Sequence, residues 1–346
     1  MDLKKVFFPL LSILIGLGVF ALVIGYAGVR NILSVFKSIS IFYLFMFFLV
    51  TTLIMLLSVF RWQIILRSYG YNVAFIPLFC YNICGYAVGY LVPTPATGAG
   101  VPLRAYLLKK QKIPMAEGLS SIAVDKAMEI AVNFLFAVFA VLIFILPLNI
   151  SPGFKNFSVI FSFIVFGLVL LFFINLYFKK GFFSTAFRLF NFIPQFALVK
   201  SIRKEIRKLE LYIHFFLRYR WKSFMLCSML SVLVFKLMVF ESKFGLLAFG
   251  YDAKLAYVFL AMAAIGIAVM LPIPAALGVL EVSQASMFLM LGINPYIGIA
   301  FALVIRLKDF IWTAIGLVLL SNTGINILNL MVKDKRRKKH GTRIHS

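Results

Sequence analysis

The chain has 346 residues, of which 63% are hydrophobic and only 13% charged. A soluble domain is usually near half apolar, and one soluble core cannot hide this much Phe, Ile and Leu. The formal net charge of +24 suggests nucleic acid, but the bases gather in connecting segments and the tail KDKRRKKHGTRIHS. Basic clusters in those places set membrane orientation and touch anionic headgroups, so nucleic acid is excluded as a partner.

The first element, 6–26, follows a charged start and runs apolar to Tyr26. A signal peptide has a shorter apolar core and a small-residue cleavage site, so this segment reads as a retained span. Five further stretches are long enough to cross a bilayer: 41–60, 119–146, 157–178, 223–249 and 297–322. Two more, 75–108 and 256–291, are interrupted near their middles by VPTPATGAGVP and LPIPAALG. Pro93, Pro95, Gly98 and Gly100 break the first, and Pro272, Pro274 and Gly278 the second. Each stretch holds two short helices but is too broken for one straight helix. The expected fold is therefore all-α, a polytopic membrane protein of about six full transmembrane helices plus two re-entrant helical hairpins.

Lysine and arginine bias sets the orientation. Segment 179–222 is the most basic internal loop and is expected to be cytoplasmic, as is the tail 331–346, which puts both termini inside a plasma membrane. The connections PLNISPGFKN, YDAK and GINP carry few charges and face outward. These assignments agree only if both broken stretches return to the side they came from. The first enters from the cytoplasm, flanked by Arg61, Arg67, Arg104, Lys109, Lys110 and Lys112. Residues 1–156 then read span, span, hairpin, span, and 157–330 repeat that order upside down, which is the inverted repeat of many transporters. Phe187, Phe190, Phe192 and Phe196 alternate with bases in the loop 179–222, so it reads either as a positive-inside anchor or as an amphipathic segment on the inner leaflet.

Both halves place a base and an acid three apart after the break: Lys126 and Glu129 in one, Arg306 and Asp309 in the other. Residues three or four apart share a helix face, so each set reads as a matched pair, with Asp125 beside Glu129 giving the first an excess of negative charge. At 1.5 Å per residue, Lys126 and Glu129 lie roughly 10–15 Å into their span, and Arg306 and Asp309 roughly 14–18 Å. Ionisable groups at such depth are costly unless paired or wetted. Each pair either locks helices together or lines a polar cavity. Glu281 and Arg104, behind the two breaks, are either opposite-sign contacts for a headgroup or caps of their own hairpins. Lys236 is deep in its span, whereas Glu241 and Lys243 lie near the outer end and can snorkel. No cofactor is expected, and no metal, because His214, His340 and His345 lie away from Cys80, Cys84 and Cys227.

The sequence PIPAALGVLE resembles a pattern of the lysylphosphatidylglycerol synthase transmembrane-region family, through Pro272, Pro274, Leu277, Gly278, Val279 and Glu281, followed by Arg306 and Asp309. The resemblance covers roughly residues 5–325. The family's first motif, a proline turn then Gly-Glu-x-x-Arg, matches at Gly100 and Arg104 but has Val101 at the glutamate position; Lys126 and Glu129 replace an Arg-x-x-Asp, and Ala275 and Ala276 stand where glycines are common. The resemblance implies movement of a polar lipid between leaflets. It does not imply aminoacyl-lipid synthesis, which needs a large soluble domain where this sequence has a short basic tail.

The expected function is thus a flippase for a polar lipid or lipid-linked precursor with an anionic or zwitterionic headgroup. Arg104, Asp125, Lys126, Glu129, Glu281, Arg306 and Asp309 form its substrate site. The alternatives are a secondary transporter or channel for a small ion, an accessory scaffold for a membrane synthase or glycosyltransferase, and an enzyme acting on lipid. The last lacks a nucleophile–His arrangement or a nucleotide loop in this sequence.

Overall fold

A computed structural model describes residues 18, 21, 22, 25, 28–37, 39–92, 98–145, 152–177, 211–271 and 273–322. The predicted first span apart from residues 18, 21, 22 and 25, the loop phenylalanines 187–196, the tail, and Pro93, Pro95 and Pro272 lie outside the described residues. Among the described residues the regular structure is helical, without strands.

The order begins with α1 (Val29–Lys37) and α2 (Ile41–Ser68). The first broken stretch becomes α3 (Phe75–Leu91) and α4 (Gly100–Leu108). Next come α5 (Met115–Ala140), which continues as a π-helical turn at Val141–Ile145, and α6 (Pro152–Tyr177). Helix α7 covers 211–219 and is followed by α8 (Trp221–Leu247). The second broken stretch becomes α9 (Leu255–Met270) and α10 (Val279–Met290), and α11 (Pro295–Asn322) follows.

Three of these helices are long and apolar enough to cross a membrane: α2, Met115–Ile143 of α5 with its π turn, and α8. Six were expected. Helix α11 has the length, at 28 residues, but Arg306, Lys308 and Asp309 interrupt its middle. Helix α6 takes in residues 157–177 of the predicted span 157–178 and exposes Phe157, Ile160, Phe163 and Leu168. An apolar helix with little protein over it is suited to lipid.

The bundle has two main apolar cores, one around each broken stretch. Val59, Trp62 and Leu66 of α2 join Leu78 and Cys84 of α3, Leu103 and Leu107 of α4, and Ile122 of α5. Around the second, Phe47 and Leu246 join Val258 and Ala261 of α9, Phe288 of α10, and Phe301 and Ile305 of α11. Helices α2 and α8 pack along each other, α3 packs on α4, α9 on α10, and α3 and α10 both pack on α11. The α3–α4 contact depends on Gly85 and Gly100. A Cβ on Gly100 would run into the Gly85 carbonyl, and one on Gly85 into the Arg104 stem.

The second break turns tightly. Pro274–Ala276 form a single 3₁₀ turn, and Ala275 and Ala276 adopt φ of 53° and 49°. Left-handed backbone costs an L-residue roughly 1–2 kcal/mol, which accounts for the glycines expected here. Ala275→Gly is expected to raise the thermal unfolding midpoint of the detergent-solubilised protein, by about 0.5–1 kcal/mol of stability after the extra unfolded-state entropy of glycine is deducted.

Candidate functional site

Among the described residues, the buried arginine, aspartate and glutamate side chains of the bundle interior fall into two groups. The first is centred on Arg61, fully buried in α2. Its Nε donates to Asp125 Oδ1 at 2.8 Å, one terminal nitrogen to Ser231 Oγ of α8 at 2.9 Å, and the other to Glu129 Oε2 at 3.2 Å. Sequence reasoning took Arg61 for an interfacial flank. The helix runs on to Ser68, which draws Arg61 two turns inward. Lys126 and Glu129 pair as expected, Nζ to Oε1 at 3.0 Å, at the most open side of the group, with Lys126 40% exposed.

Arg104 of α4 completes this group. Its guanidinium stacks 4.2 Å over Trp62, whose Nε1 donates to Ser121 Oγ at 3.0 Å. A terminal nitrogen lies 3.6 Å from Asp125 Oδ2, beyond good hydrogen-bond distance. Arg104 is 5% exposed, and its Nε has no hydrogen-bond partner among the described residues. A guanidinium offers five donors in a fixed fork, so Arg104 holds unspent donors in a dry site. Three cations (Arg61, Arg104, Lys126) against two carboxylates (Asp125, Glu129) leave one positive charge. This reverses the negative excess expected from the sequence.

The second group lies on α11. Glu281, with no exposure, binds Arg306 through both carboxylate oxygens: Nε donates to Oε1, and a terminal nitrogen to Oε2 at 2.8 Å. Arg306 also donates to the Ala275 carbonyl at 2.8 Å and the Ala276 carbonyl at 2.9 Å. It therefore ties off the tight turn and spends its fork inside the protein. Glu281 serves as its counter-ion, in place of the headgroup contact or hairpin cap read from the sequence. Nor do Arg306 and Asp309 form the matched pair read from their spacing. Asp309 Oδ1 accepts the Tyr86 hydroxyl of α3 at 2.5 Å and stands 4.0 Å from Lys308 Nζ. Lys308 bonds Glu241 of α8 at 3.1 Å, and Glu241 also contacts Thr51 Oγ1 of α2 at 2.5 Å. Glu241 is thus a buried partner, in place of a snorkelling end residue, while Lys243 pairs with Asp252 at 3.3 Å. Lys236 lies on the exposed side of α8 with Met229, Leu233 and Phe240.

The breaks carry these groups on their return helices: Gly98 and Gly100 lead into α4 and Arg104, and Pro274 and Gly278 lead into α10 and Glu281. At the basic end of the bundle, Glu117 in the first turn of α5 accepts the hydroxyls of Tyr71 and Tyr212, one on each oxygen. This binds the α2–α3 connection to α7. Those hydrogen bonds, then partial burial and the carboxylate charge, push both phenols up to about 12, against about 10 for a free tyrosine. The sign follows from linkage: the unfolded phenols lose protons first, so the latch holds below pH of about 10 and is lost as pH rises to about 12. In a titration followed by tyrosinate absorbance, Glu117→Gln is expected to move two tyrosines from about 12 toward about 10.

A bundle of apolar helices with buried ion pairs across its interior defines a polytopic integral membrane protein. The family model described as the lysylphosphatidylglycerol synthase transmembrane region matches residues 10–316, and the chain belongs to that family. It is also similar to a UPF0104 membrane protein of Methanocaldococcus jannaschii, at 25% identity over 134 residues. That match covers 38% of this chain and 38% of the relative. No solved structure matches the chain.

Proposed function

We propose that this protein is a transporter that moves a polar lipid or lipid-linked precursor between the leaflets of the plasma membrane, with both termini in the cytoplasm. The observation that carries the reading is Arg104: a buried guanidinium with unspent donors, in a group with one positive charge to spare, on the helix that follows the first break. A phosphate is the ligand such a fork is shaped for. Lys126 and Glu129 stand at the more open side of the group, where the remainder of a zwitterionic headgroup would sit while its acyl chains stay in the bilayer. Asp125 orients Arg104 and stays paired to Arg61.

Helices α3 with α4 and α9 with α10 act as re-entrant hairpins of an inverted repeat. Each is too short to span about 30 Å of hydrocarbon singly: at 1.5 Å per residue even α3 reaches only about 25 Å. Irregular backbone at that depth is tolerated where it is buried in protein or lines a cavity. Arg306, expected in the substrate site, holds the turn of the second hairpin. A membrane synthase or glycosyltransferase would be a natural partner for either leaflet's supply.

The test is reconstitution in liposomes with a fluorescent phospholipid, read by its accessibility to a membrane-impermeant quencher. Wild-type protein is expected to move label across faster than empty liposomes, and Glu129→Gln to slow it. Equal rates in all three overturn the reading.

A further inference from the structure

Counting charge in the second group gives the opposite sign from the first. Glu281 and Arg306 cancel. Lys308 then faces two carboxylates, Glu241 at 3.1 Å and Asp309 at 4.0 Å, which leaves one negative charge. Lys308 and Asp309 are the fourteenth and fifteenth of the 28 residues of α11, at the centre of the helix. The side chains of Glu241, Lys308 and Asp309 are 11%, 17% and 14% exposed. An uncompensated charge is expensive at that depth, and a buried carboxyl escapes the cost by taking up a proton.

Among the described residues, the remaining groups that face Asp309 do not supply the missing charge. Tyr86 and Tyr90 come from α3, Thr51 from α2, and Glu241 and Glu281 from α8 and α10. On α11 itself, Arg306 is committed to Glu281 and Thr313 is neutral. Arg30 and Lys37 of α1 are exposed, at that helix's start and end. Deprotonating Lys308 would worsen the balance. Between the two carboxyls, Glu241 has the closer ammonium and the Thr51 hydroxyl, which favour its anion. Asp309 has a neutral phenol and the longer approach to Lys308.

We infer that Asp309 is a proton-binding site in the middle of the membrane, its proton on Oδ2 while Oδ1 keeps the Tyr86 hydroxyl. The site is joined to Arg104 through α3. Tyr86 bonds Asp309, and its neighbour Gly85 lies directly under the Arg104 stem. Loss of the Asp309 proton strengthens the pull on Tyr86 and on Lys308, and a shift of α3 in response moves the seat of Arg104. Proton occupancy thereby biases the headgroup site. The coupling rests on the lipid-transport reading, whereas the proton site does not.

Infrared difference spectroscopy of the detergent-solubilised protein at neutral pH, without added lipid, tests the site. Wild type is expected to show the carbonyl band of a buried carboxylic acid, sensitive to H/D exchange. Asp309→Asn removes the band, and Tyr86→Phe shifts it to higher frequency as the Asp309 carbonyl loses its donor, a shift that a proton on Glu241 would not show; Glu241→Gln, which leaves Lys308 to balance Asp309 alone, weakens the band. No band in wild type, or a band that survives Asp309→Asn, overturns the proposal. In liposomes, lipid movement by wild type is expected to change at least twofold with an imposed pH gradient, and by Asp309→Asn not at all. A band without any lipid movement leaves the proton site standing and removes the transport reading. Lipid movement indifferent to the gradient in wild type overturns the coupling.

Discussion

Glu281→Ala is expected to abolish most of the folded protein. Arg306 is 3% exposed and loses both charge-assisted bonds to the carboxylate, while its bonds to the carbonyls of Ala275 and Ala276 are to neutral groups. Removing one partner of a buried ion pair costs about 3–5 kcal/mol, because the other charge stays behind unpaired. That is a large share of a total stability of about 5–15 kcal/mol. The strain at Ala275 and Ala276 adds to it, since the arginine that holds their carbonyls would be drawn toward water. Glu281→Leu combined with Arg306→Met removes both charges and is expected to recover part of the loss, although the two turn carbonyls then go unmet. Thermal unfolding in detergent and size-exclusion profiles of the single and double variants measure this. Glu281→Ala that unfolds with the wild type would show that the pair is not a structural pin.

Arg104 and Arg61 are expected to part company under the same chemical change. Arg61→Gln takes away the close partner of Asp125, leaving it the 3.6 Å approach of Arg104, and leaves Glu129 to Lys126 alone, and should destabilise by about 3–5 kcal/mol. Arg104→Gln leaves Asp125 with Arg61 and gives up only a 3.6 Å contact and the Trp62 stacking, worth about 1–2 kcal/mol. Its effect belongs in function: losing a charge-assisted fork on phosphate costs about 1.5–3 kcal/mol, at least tenfold in lipid movement. Arg104→Lys keeps the charge without the fork and should restore only part of the rate. Equal loss of folding in Arg61→Gln and Arg104→Gln would assign both arginines to structure.

Hydropathy located the helices well, because the period of apolar residues and the prolines are local signals. The interrupted stretches 75–108 and 256–291 became α3 with α4 and α9 with α10, with their ends where proline and glycine stand. What the chain did not disclose was which ion finds which. Lys126 and Glu129 pair three residues apart, as their helical spacing suggests. Arg306 ignores Asp309, one turn away, for Glu281 across 25 residues, and Lys308 reaches Glu241 across 67. Those choices depend on which helices pack together, and that is settled by shape at places such as Gly316 against Ile83, a contact without a hydropathic signature. Arg61 was misread for a related reason. A base at the end of an apolar run looks interfacial until the helix is known to continue.

The grip of Arg306 on the second hairpin also sets an order of construction. The carbonyls of Ala275 and Ala276 have their donor some thirty residues downstream. While the ribosome is still making α10, that donor does not yet exist, and bare carbonyls in hydrocarbon cost several kcal/mol each. On the re-entrant reading proposed above, the hairpin is expected to wait at the membrane surface or inside the insertion machinery until α11 emerges, and to enter the bilayer with it. A chain truncated before residue 306 should leave α9 and α10 open to protease, and extension through α11 should bring protection to both in a single step.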